Sequence, residues 1–421
     1  MDREVYLMWL SLACTPGSTT FAKLLESFDD PKDIYDASEG DIQRSVGSRS
    51  SDYLRLTDKD LEKAKSVYEF CKRRGVGILS YFDEEFPESL RDIPTPPVLL
   101  YYRGILPKFN EVKPVRIAVV GTRHISDYGR TNAFKVAFDL ACSGAIIVSG
   151  MATGIDGIAH AATLAAGMPT IAFLGSGIDV CYPKQHLKLA REIVKSGCIF
   201  TEYPPGSAPD KHNFPIRNRL ISGLCSSVVV VEGSERSGAL HTARHAKAQG
   251  RVVYAIPGNV NDINSQATNL LIQNGAKLCA RADDVVRDYM YNGSLNPFNM
   301  KLKLPVNIMQ TLTQYSVVAV APSDDIFKPA RSKKKEKNSC ESEKGAEVAA
   351  PISEESQQEP VNFDARTLKL YKKIPSEGDC AIEELVDDDY NLREIMRLLL
   401  KLEMGRFIVM LPGERVKRNL K

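Results

Sequence analysis

Apolar positions along the chain change their spacing several times, and each change marks a different kind of unit. Over residues 1–75 they recur at three- and four-residue intervals, in the runs 5–12, 21–28 and 61–71, with breaks at Pro16-Gly17, Asp30-Pro31 and Gly75. That period predicts a small helical domain. From Gly75 to Gly104 two prolines precede a short apolar run at 98–102, which predicts a connector pairing at a sheet edge. Residues 115–286 then repeat apolar strand, glycine-containing turn and amphipathic helix. Strands are expected over 116–120, 145–149, 170–174, 198–201, 228–231, 252–256 and 277–280. The intervening helices are expected over about 129–142, 155–166, 187–196, 217–224, 239–249 and 268–274. Short Val- and Ile-rich runs between helices suit a parallel sheet buried on both faces, so the fold class is a doubly wound α/β domain, over 76–290 with its connector.

Past residue 290 this pattern stops. The stretch RSKKKEKNSCESEKGAEVAAPISEESQQEP (331–360) has almost no large apolar residues and cannot bury a core, which predicts a solvated, flexible linker over 291–362. Pattern returns over 363–421. A helix at 365–373 is followed by an apolar segment at 382–386 and a helix at 392–403, where Leu392, Ile395, Met396, Leu399 and Leu402 share one face. A strand at 406–411, the turn Pro412-Gly413 and a basic end complete the span, and three helices with a β-ribbon predict a winged-helix domain.

The 421 residues carry 55 Lys+Arg against 53 Asp+Glu, a net charge of +2, and 43% of them are hydrophobic. Wholesale disorder is excluded. No run approaches about 18 consecutive apolar residues, so no membrane span is expected. The N-terminus MDREVYLMWLSLA places acids before a short apolar run and lacks a basic segment, which speaks against secretion. Nine scattered cysteines without a CxxC pair suit neither a disulfide scaffold nor a cysteine zinc site and point to a reducing cytoplasm. Near-neutral charge gives no global sign of nucleic acid. Residues 115–288, however, hold 18 Lys+Arg against 13 Asp+Glu, so a local excess of +5 lies on the α/β domain.

Ligands of an open parallel sheet bind outside the carboxyl ends of its strands. The turns there are Gly121-Thr122-Arg123-His124, the 150–156 loop, Gly175-Ser176-Gly177, Glu202-Tyr203, Glu232-Gly233-Ser234-Glu235 and Pro257-Gly258-Asn259. The loop Ser149-Gly150-Met151-Ala152-Thr153-Gly154-Ile155-Asp156 is the most phosphate-like, a glycine turn opening onto a helix N-terminus. It lacks the GK[ST] of a Walker loop, and the second strand ends without an acid for a ribose, so no nucleotide cofactor is expected.

The strongest local signal is Lys211-His212-Asn213-Phe214-Pro215-Ile216-Arg217-Asn218-Arg219, where four potential cations surround one aromatic at a helix start. Such a set suits a phosphate backbone with a base stacked on the ring. The alternative is a solvated basic helix end with Phe214 turned into the core. Arg123, on another turn of the same sheet edge, can converge on the same groove. His241 and His245 lie one helical turn apart, but no acid or thiol ligand accompanies them, which favours surface histidines over a metal site. Asp156, Glu202 and Glu232 stand at strand ends, where carboxylates act as acids or hold turns; no nucleophile–base pair is evident. In the N-terminal region Thr15-Pro16-Gly17-Ser18 feeds a helix, as in a helix-hairpin-helix that offers amides to phosphate, or as in an ordinary bundle turn.

The blocks VVGTRHISDYGR, SGMATGIDGIAHAATLAAG, FLGSGIDVCYP, TEYPPG, FPIRNRLISGLCSSVVVVEGSERSGALHTARHAKAQGR and AIPGN follow one another as in the DNA-processing protein A (DprA, or Smf) family. The chain resembles that family over about residues 80–285. The helical N-terminus resembles its sterile-alpha-motif-like or helix-hairpin-helix extension, and the C-terminal unit its winged-helix appendage. The resemblance implies an extended Rossmann-like core that binds single-stranded DNA, forms a homodimer and loads the RecA recombinase during natural transformation, without catalysis. It places the DNA pocket on Gly121, Arg123, Lys211, Phe214, Arg217, Asn218 and Arg219, with Gly150, Ser176, Gly177 and Asp179 shaping it. Two rival readings remain: a Rossmann-like nucleotide hydrolase resembling the phosphoribohydrolases, whose PGGxGTxxE signature is absent, and a duplex-binding regulator acting through the winged helix.

Overall fold

The computed structural model describes residues 3–110, 115–290, 295, 328–329, 365–375, 379–385, 395, 398–399, 402, 407–411 and 415–418. Residues 1–334 form one compact unit and 335–421 another.

The helical spacing of the N-terminus yields α1 (Arg3–Ala13), α2 (Thr20–Leu25), α3 (Pro31–Asp36), α4 (Glu39–Val46), α5 (Tyr53–Thr57) and α6 (Glu62–Arg74). Asp30 and Ser38 cap α3 and α4 by accepting from the Lys32 and Asp41 amides, which satisfies donors that a helix start leaves open. Met8, Leu10, Leu24, Ile34, Ile42 and Leu56 are fully buried and share one core with Tyr101, Ile193 and Ile199 of the α/β region. The Thr15–Ser18 turn is closed from within. Buried Asp52 accepts from the Thr15 amide at 3.1 Å, the Thr15 hydroxyl at 2.5 Å and the Ser18 hydroxyl at 3.0 Å. A Cβ on Gly17 would lie 2.8 Å from Ile216 Cγ2, so the turn backbone packs directly on the helix that follows Lys211. The phosphate-presenting reading of this turn is thereby replaced by the bundle-turn reading, because its Thr15 amide faces a carboxylate.

The strands are β1 (Gly77–Ser80), β2 (Leu99–Gly104), β3 (Arg116–Val120), β4 (Ile146–Ser149), β5 (Thr170–Phe173), β6 (Val180–Cys181), β7 (Cys198–Thr201), β8 (Ser227–Val230), β9 (Val252–Ala255) and β10 (Lys277–Leu278). Nine of them form one sheet in the order β1-β2-β7-β5-β4-β3-β8-β9-β10, and β6 lies outside it. From β7 to β10 every pair is parallel, while β1–β2 and β2–β7 are antiparallel. The expectation of a purely parallel sheet is corrected at this edge. Segment 98–102 does pair there as β2, but inside β1, whose four residues GILS carry too little pattern to be seen. Gly77 is needed in β1 because the Tyr102 ring crosses it, leaving 2.2 Å to a notional Cβ.

The helices of the Rossmann-like core are α7 (Glu88–Arg91), α8 (Asp127–Cys142), α9 (Ile155–Ala165), α10 (Leu187–Ser196), α11 (Asn213–Leu224), α12 (Ala239–Ala248), α13 (Gln266–Gln273) and α14 (Ala282–Met290). Phe134, Ala137 and Phe138 of α8 with Ile155 and Ala159 of α9 cover one face of the sheet, and Leu220, Ile221 and Leu224 of α11 with Ala239 and Ala243 of α12 cover the other. Burial on both faces explains the unbroken apolar strands such as Ile117–Val120. Helix α11 begins at Asn213, earlier than the 217 start expected, since proline is tolerated in a first helical turn. The eight cysteines among the described residues are buried, and no disulfide joins them.

In the second unit a helix, Ala365–Lys373, precedes a three-stranded antiparallel sheet of Cys380–Ala381, Arg415–Arg418 and Ile408–Leu411, in that order. Leu370, Ile374, Leu385, Ile395, Leu399, Leu402 and Val416 form its core. The rest of the 392–403 helix and the 291–362 linker, apart from Leu295 and Lys328–Pro329, lie outside the described residues. No described helix is long and apolar enough to cross a membrane.

Burial pushes the Asp52 carboxyl up, but hydrogen bonds from Thr15, Thr20 and Ser18 outweigh it and hold the pKa at about 2. Its folded value lies below the ordinary one, so its stabilisation is complete above about pH 4 and is lost as pH falls toward 2. Asp52→Asn is expected to destabilise the protein by about 1–3 kcal/mol at neutral pH. In urea titrations the gap from the native chain should narrow over that acid window.

Candidate functional site

Strand order reverses at β3, with β4 on one side and β8 on the other. Loops leaving the carboxyl ends of β3 and β8 diverge there, and the crevice between them is where such sheets hold ligands. A cavity of about 410 Å³ occupies this place, lined by the 121–124 turn after β3, the start of α11, and Ser234, Arg236–Ala239, His241 and Thr242 at the entry to α12.

Glu232, at the end of β8, builds the first wall. Its backbone carbonyl accepts from the Thr122 amide at 2.8 Å, and its carboxylate accepts from the Ser126 amide at 3.1 Å and from the Ser126 hydroxyl. Ser126 in turn caps α8 through the Gly129 amide. Gly154, at φ +83°, lets the 150–156 loop approach this turn, and a Cβ there would sit 2.3 Å from the Thr122 carbonyl oxygen. The loop itself is not an open phosphate cradle. Its Gly150 and Ala152 amides donate to Asp156 at 3.2 and 3.4 Å, and its Ile155 amide to the Thr122 carbonyl. Burial raises the Asp156 carboxyl, opposed by Arg217 and the Ala152 amide.

On this wall Arg123 is exposed, and its guanidinium lies 4.9 Å from the centroid of the Phe214 ring. Phe214 is half-buried; a Cβ on Gly175 would come within 2.9 Å of its Cδ1, and the Tyr182 ring stands 5.6 Å away. Lys211 is exposed and has no ion-pair partner among the described residues. Asn218 joins the lining and donates to the Gly238 carbonyl at 3.4 Å.

The two helical arginines behave differently from these. Arg217 borders the cavity but is only 3% exposed. Its Nη1 donates to the carbonyls of Gly150 (2.7 Å) and Phe173, and its Nε to Asn218 Oδ1. Burial lowers its pKa to about 10, with Asp156 supporting the charge. Arg219 does not line the cavity: its Nη2 donates to both Glu202 oxygens, at 2.7 and 2.6 Å, in a buried pair. Burial raises the Glu202 carboxyl, opposed by Arg219. The assignment of Arg219 to the pocket is therefore corrected. A two-residue step turns a helix by about 200°, so Phe214, Arg217 and Asn218 share one face while Arg219 looks the other way.

Of the residues named from sequence, Gly121, Arg123, Lys211, Phe214, Arg217 and Asn218 are brought together at the cavity. Gly150 lies beneath it, with Arg217 Nη2 only 2.6 Å from a notional Cβ. Ser176, Gly177 and Asp179 do not reach the lining. They brace the adjacent loop, through Ser176 to the Val180 carbonyl, the Gly177 amide to Ser207, and the Gly206 amide to Asp179. His124 belongs to a turn the sequence marked as a candidate, whereas Arg236 and Ser237 in the lining were overlooked. Arg236 carried one usable signal, its place on a strand-end turn, but the charge of the adjacent Glu235 masked it. His241 also lines the cavity while His245 does not, and no group of three or more metal-ligating side chains occurs among the described residues.

A Rossmann-like α/β protein is thus defined, with a cationic cavity that carries an aromatic ring at the switch point of its sheet. A model of the DNA recombination-mediator protein A family matches residues 77–290, about half of the chain, and the chain belongs to that family. The DNA processing protein DprA of Streptococcus pneumoniae is 40% identical over 257 residues, which cover 60% of this chain and 87% of that protein. The DNA processing protein DprA of Bacillus subtilis is 36% identical over 226 residues, 54% of this chain and 75% of the relative. The X-ray structure of DNA processing protein A from Streptococcus pneumoniae superposes with a TM-score of 0.59 at 35% identity, covering 68% of this chain and 98% of that one.

Glu232→Ala leaves the Ser126 amide and hydroxyl without their acceptor and loosens the Arg123 turn. A loss of about 1–3 kcal/mol is expected in denaturant titrations. An unchanged midpoint would show that the turn is held by other contacts.

Proposed function

We propose that this chain is a single-stranded DNA-binding recombination mediator, acting by holding the strand and not by chemical conversion. The observation that carries this reading is the cavity at the switch point, where exposed Arg123 and Lys211 flank the half-buried Phe214 ring. A guanidinium and an ammonium with no ion-pair partner among the described residues are available to phosphates, and a stacked ring tolerates any base. Since Arg123 already lies over Phe214, an incoming base stacks on the arginine plane or takes its place, with Arg123 moving to the adjacent phosphate. Gly121 keeps the turn backbone close to the strand. Arg217 acts from beneath, by positioning α11.

The carboxylates that a hydrolase would need are occupied. Asp156 accepts loop amides, Glu232 holds the Arg123 turn and Glu202 pairs with Arg219. This favours mediation over nucleotide hydrolysis. In the division of labour we infer, the 1–75 helices support the 76–290 core, the 291–362 segment tethers, and the 363–421 unit is a winged helix. With 12 basic against 11 acidic side chains, that unit suits a protein contact as well as a duplex. Loading of RecA, homodimerisation that joins two grooves on one strand, and a cytoplasmic setting complete the proposal.

The double variant Arg123→Ala/Lys211→Ala should retain its fold and bind an oligothymidylate far more weakly in fluorescence anisotropy. Its plot of log affinity against log salt should be shallower by about 0.7 for each phosphate that the variant no longer neutralises. Native-like affinity in a folded double variant would refute the groove. Release of free base from nucleoside monophosphates would instead favour the hydrolase.

A further inference from the structure

The cavity has a second wall, built by the turn between β8 and α12. Arg236 on this turn is exposed and has no ion-pair partner among the described residues. It lines the same cavity as Arg123 and Lys211, next to Ser234, Ser237 and Gly238. The Ser237 amide donates to the Ser234 carbonyl at 2.9 Å and closes the turn, and α12 follows with no acidic residue in its first turn. Glu235 is not part of the lining. Asp156 is, but its Oδ2 accepts the Gly150 and Ala152 amides, and Arg217 crowds the same Gly150. The floor between the walls is therefore internally paired, and the unpaired charge on both walls is positive.

The hydrogen bond from Asn218 to the Gly238 carbonyl fixes where this wall stands. Asn218 follows Phe214 by one helical turn, ~6 Å at 1.5 Å per residue, about the stride of one nucleotide in an extended strand. Among the described residues the second wall carries the His241 imidazole but no Phe, Tyr or Trp, whereas the first carries Phe214.

We propose that Arg236, with the 234–238 turn, is a second phosphate site. A single strand would cross the cavity with one phosphate on the Arg123–Lys211 wall, the next on the Arg236 wall, and the base between them toward Phe214. This rests on the proposed DNA-binding function and adds the course of the strand. It also separates two kinds of contact: one wall binds phosphate beside a stacked base, the other binds phosphate alone.

The test compares the full native chain with Arg236→Gln, Arg236→Lys and Arg123→Ala, each titrated against oligothymidylate at a series of salt concentrations. Arg236→Gln is expected to weaken binding severalfold and to flatten the salt dependence by about 0.7, the single-strand value for one phosphate. Arg236→Lys should restore the slope, because it keeps the charge. If Arg123→Ala loses affinity while Arg236→Gln keeps native affinity and slope, the second site is wrong and the DNA-binding function stands. If neither variant differs from a native chain that binds the oligonucleotide, the cavity is not the binding groove and the second site falls with it; if the native chain itself does not bind, the DNA-binding function fails.

Discussion

Arg217 carries a positive charge into the interior and directs it at main-chain carbonyls. Its Nη1 reaches Gly150, just beyond β4, and Phe173, the last residue of β5, while its Nε reaches the neighbouring Asn218. One side chain therefore holds α11 against the carboxyl ends of two parallel strands. Burial depresses its pKa only to about 10, so at neutral pH the cation persists and the charge-assisted bonds with it. Everything that faces the cavity from α11 inherits its position from this point. Phe214 stands one turn before Asn218, on the face that Arg217 turns toward the strands, and Lys211 precedes that turn.

Around this anchor the charged residues fall into two populations. Arg217, Arg219, Asp156, Glu202 and Glu232 are committed to the architecture, each engaged by main chain or by a buried partner. Arg123, Lys211 and Arg236 are exposed at the cavity rim with no ion-pair partner among the described residues. The positive field of the crevice comes from these few free groups above a floor that is internally neutralised. A modest local excess of basic residues thereby becomes a directed surface for a polyanion.

Much of the core was legible in the residues. Short Val- and Ile-rich runs and the turns after them located the buried parallel strands to within about one residue, because burial on both faces leaves little freedom in composition, while the exposed edge strand β10 ends two residues earlier than expected. Arg123, Lys211 and Phe214 were legible as candidates for a different reason: cations beside an aromatic at a helix start, with a further cation on a strand-end turn of the same sheet edge, suit a shared groove, though the sequence left open that Phe214 packs into the core. Strand β1 escaped because GILS is too short to show a period. The Thr15–Ser18 turn was ambiguous because nothing local announces that Asp52, 34 to 37 residues away, will fill it. Arg219 was misplaced because a basic cluster in a linear sequence has no sides, whereas a helix does.

The amino-acid order by itself settled the kind of protein: an α/β sheet with glycine turns at its strand ends, and a cationic aromatic segment leading into a helix. Those features are local, set by burial period and turn chemistry, and they survive without knowledge of any contact. Only the tertiary structure decided which charges are free. The sheet's reversal at β3 brings the 121–124 and 234–238 turns together, and the handedness of α11 sends Arg219 to Glu202 while leaving Phe214 at the cavity. Whether an arginine meets a carbonyl, a carboxylate or solvent depends on residues far away in the chain, and no local spacing encodes that.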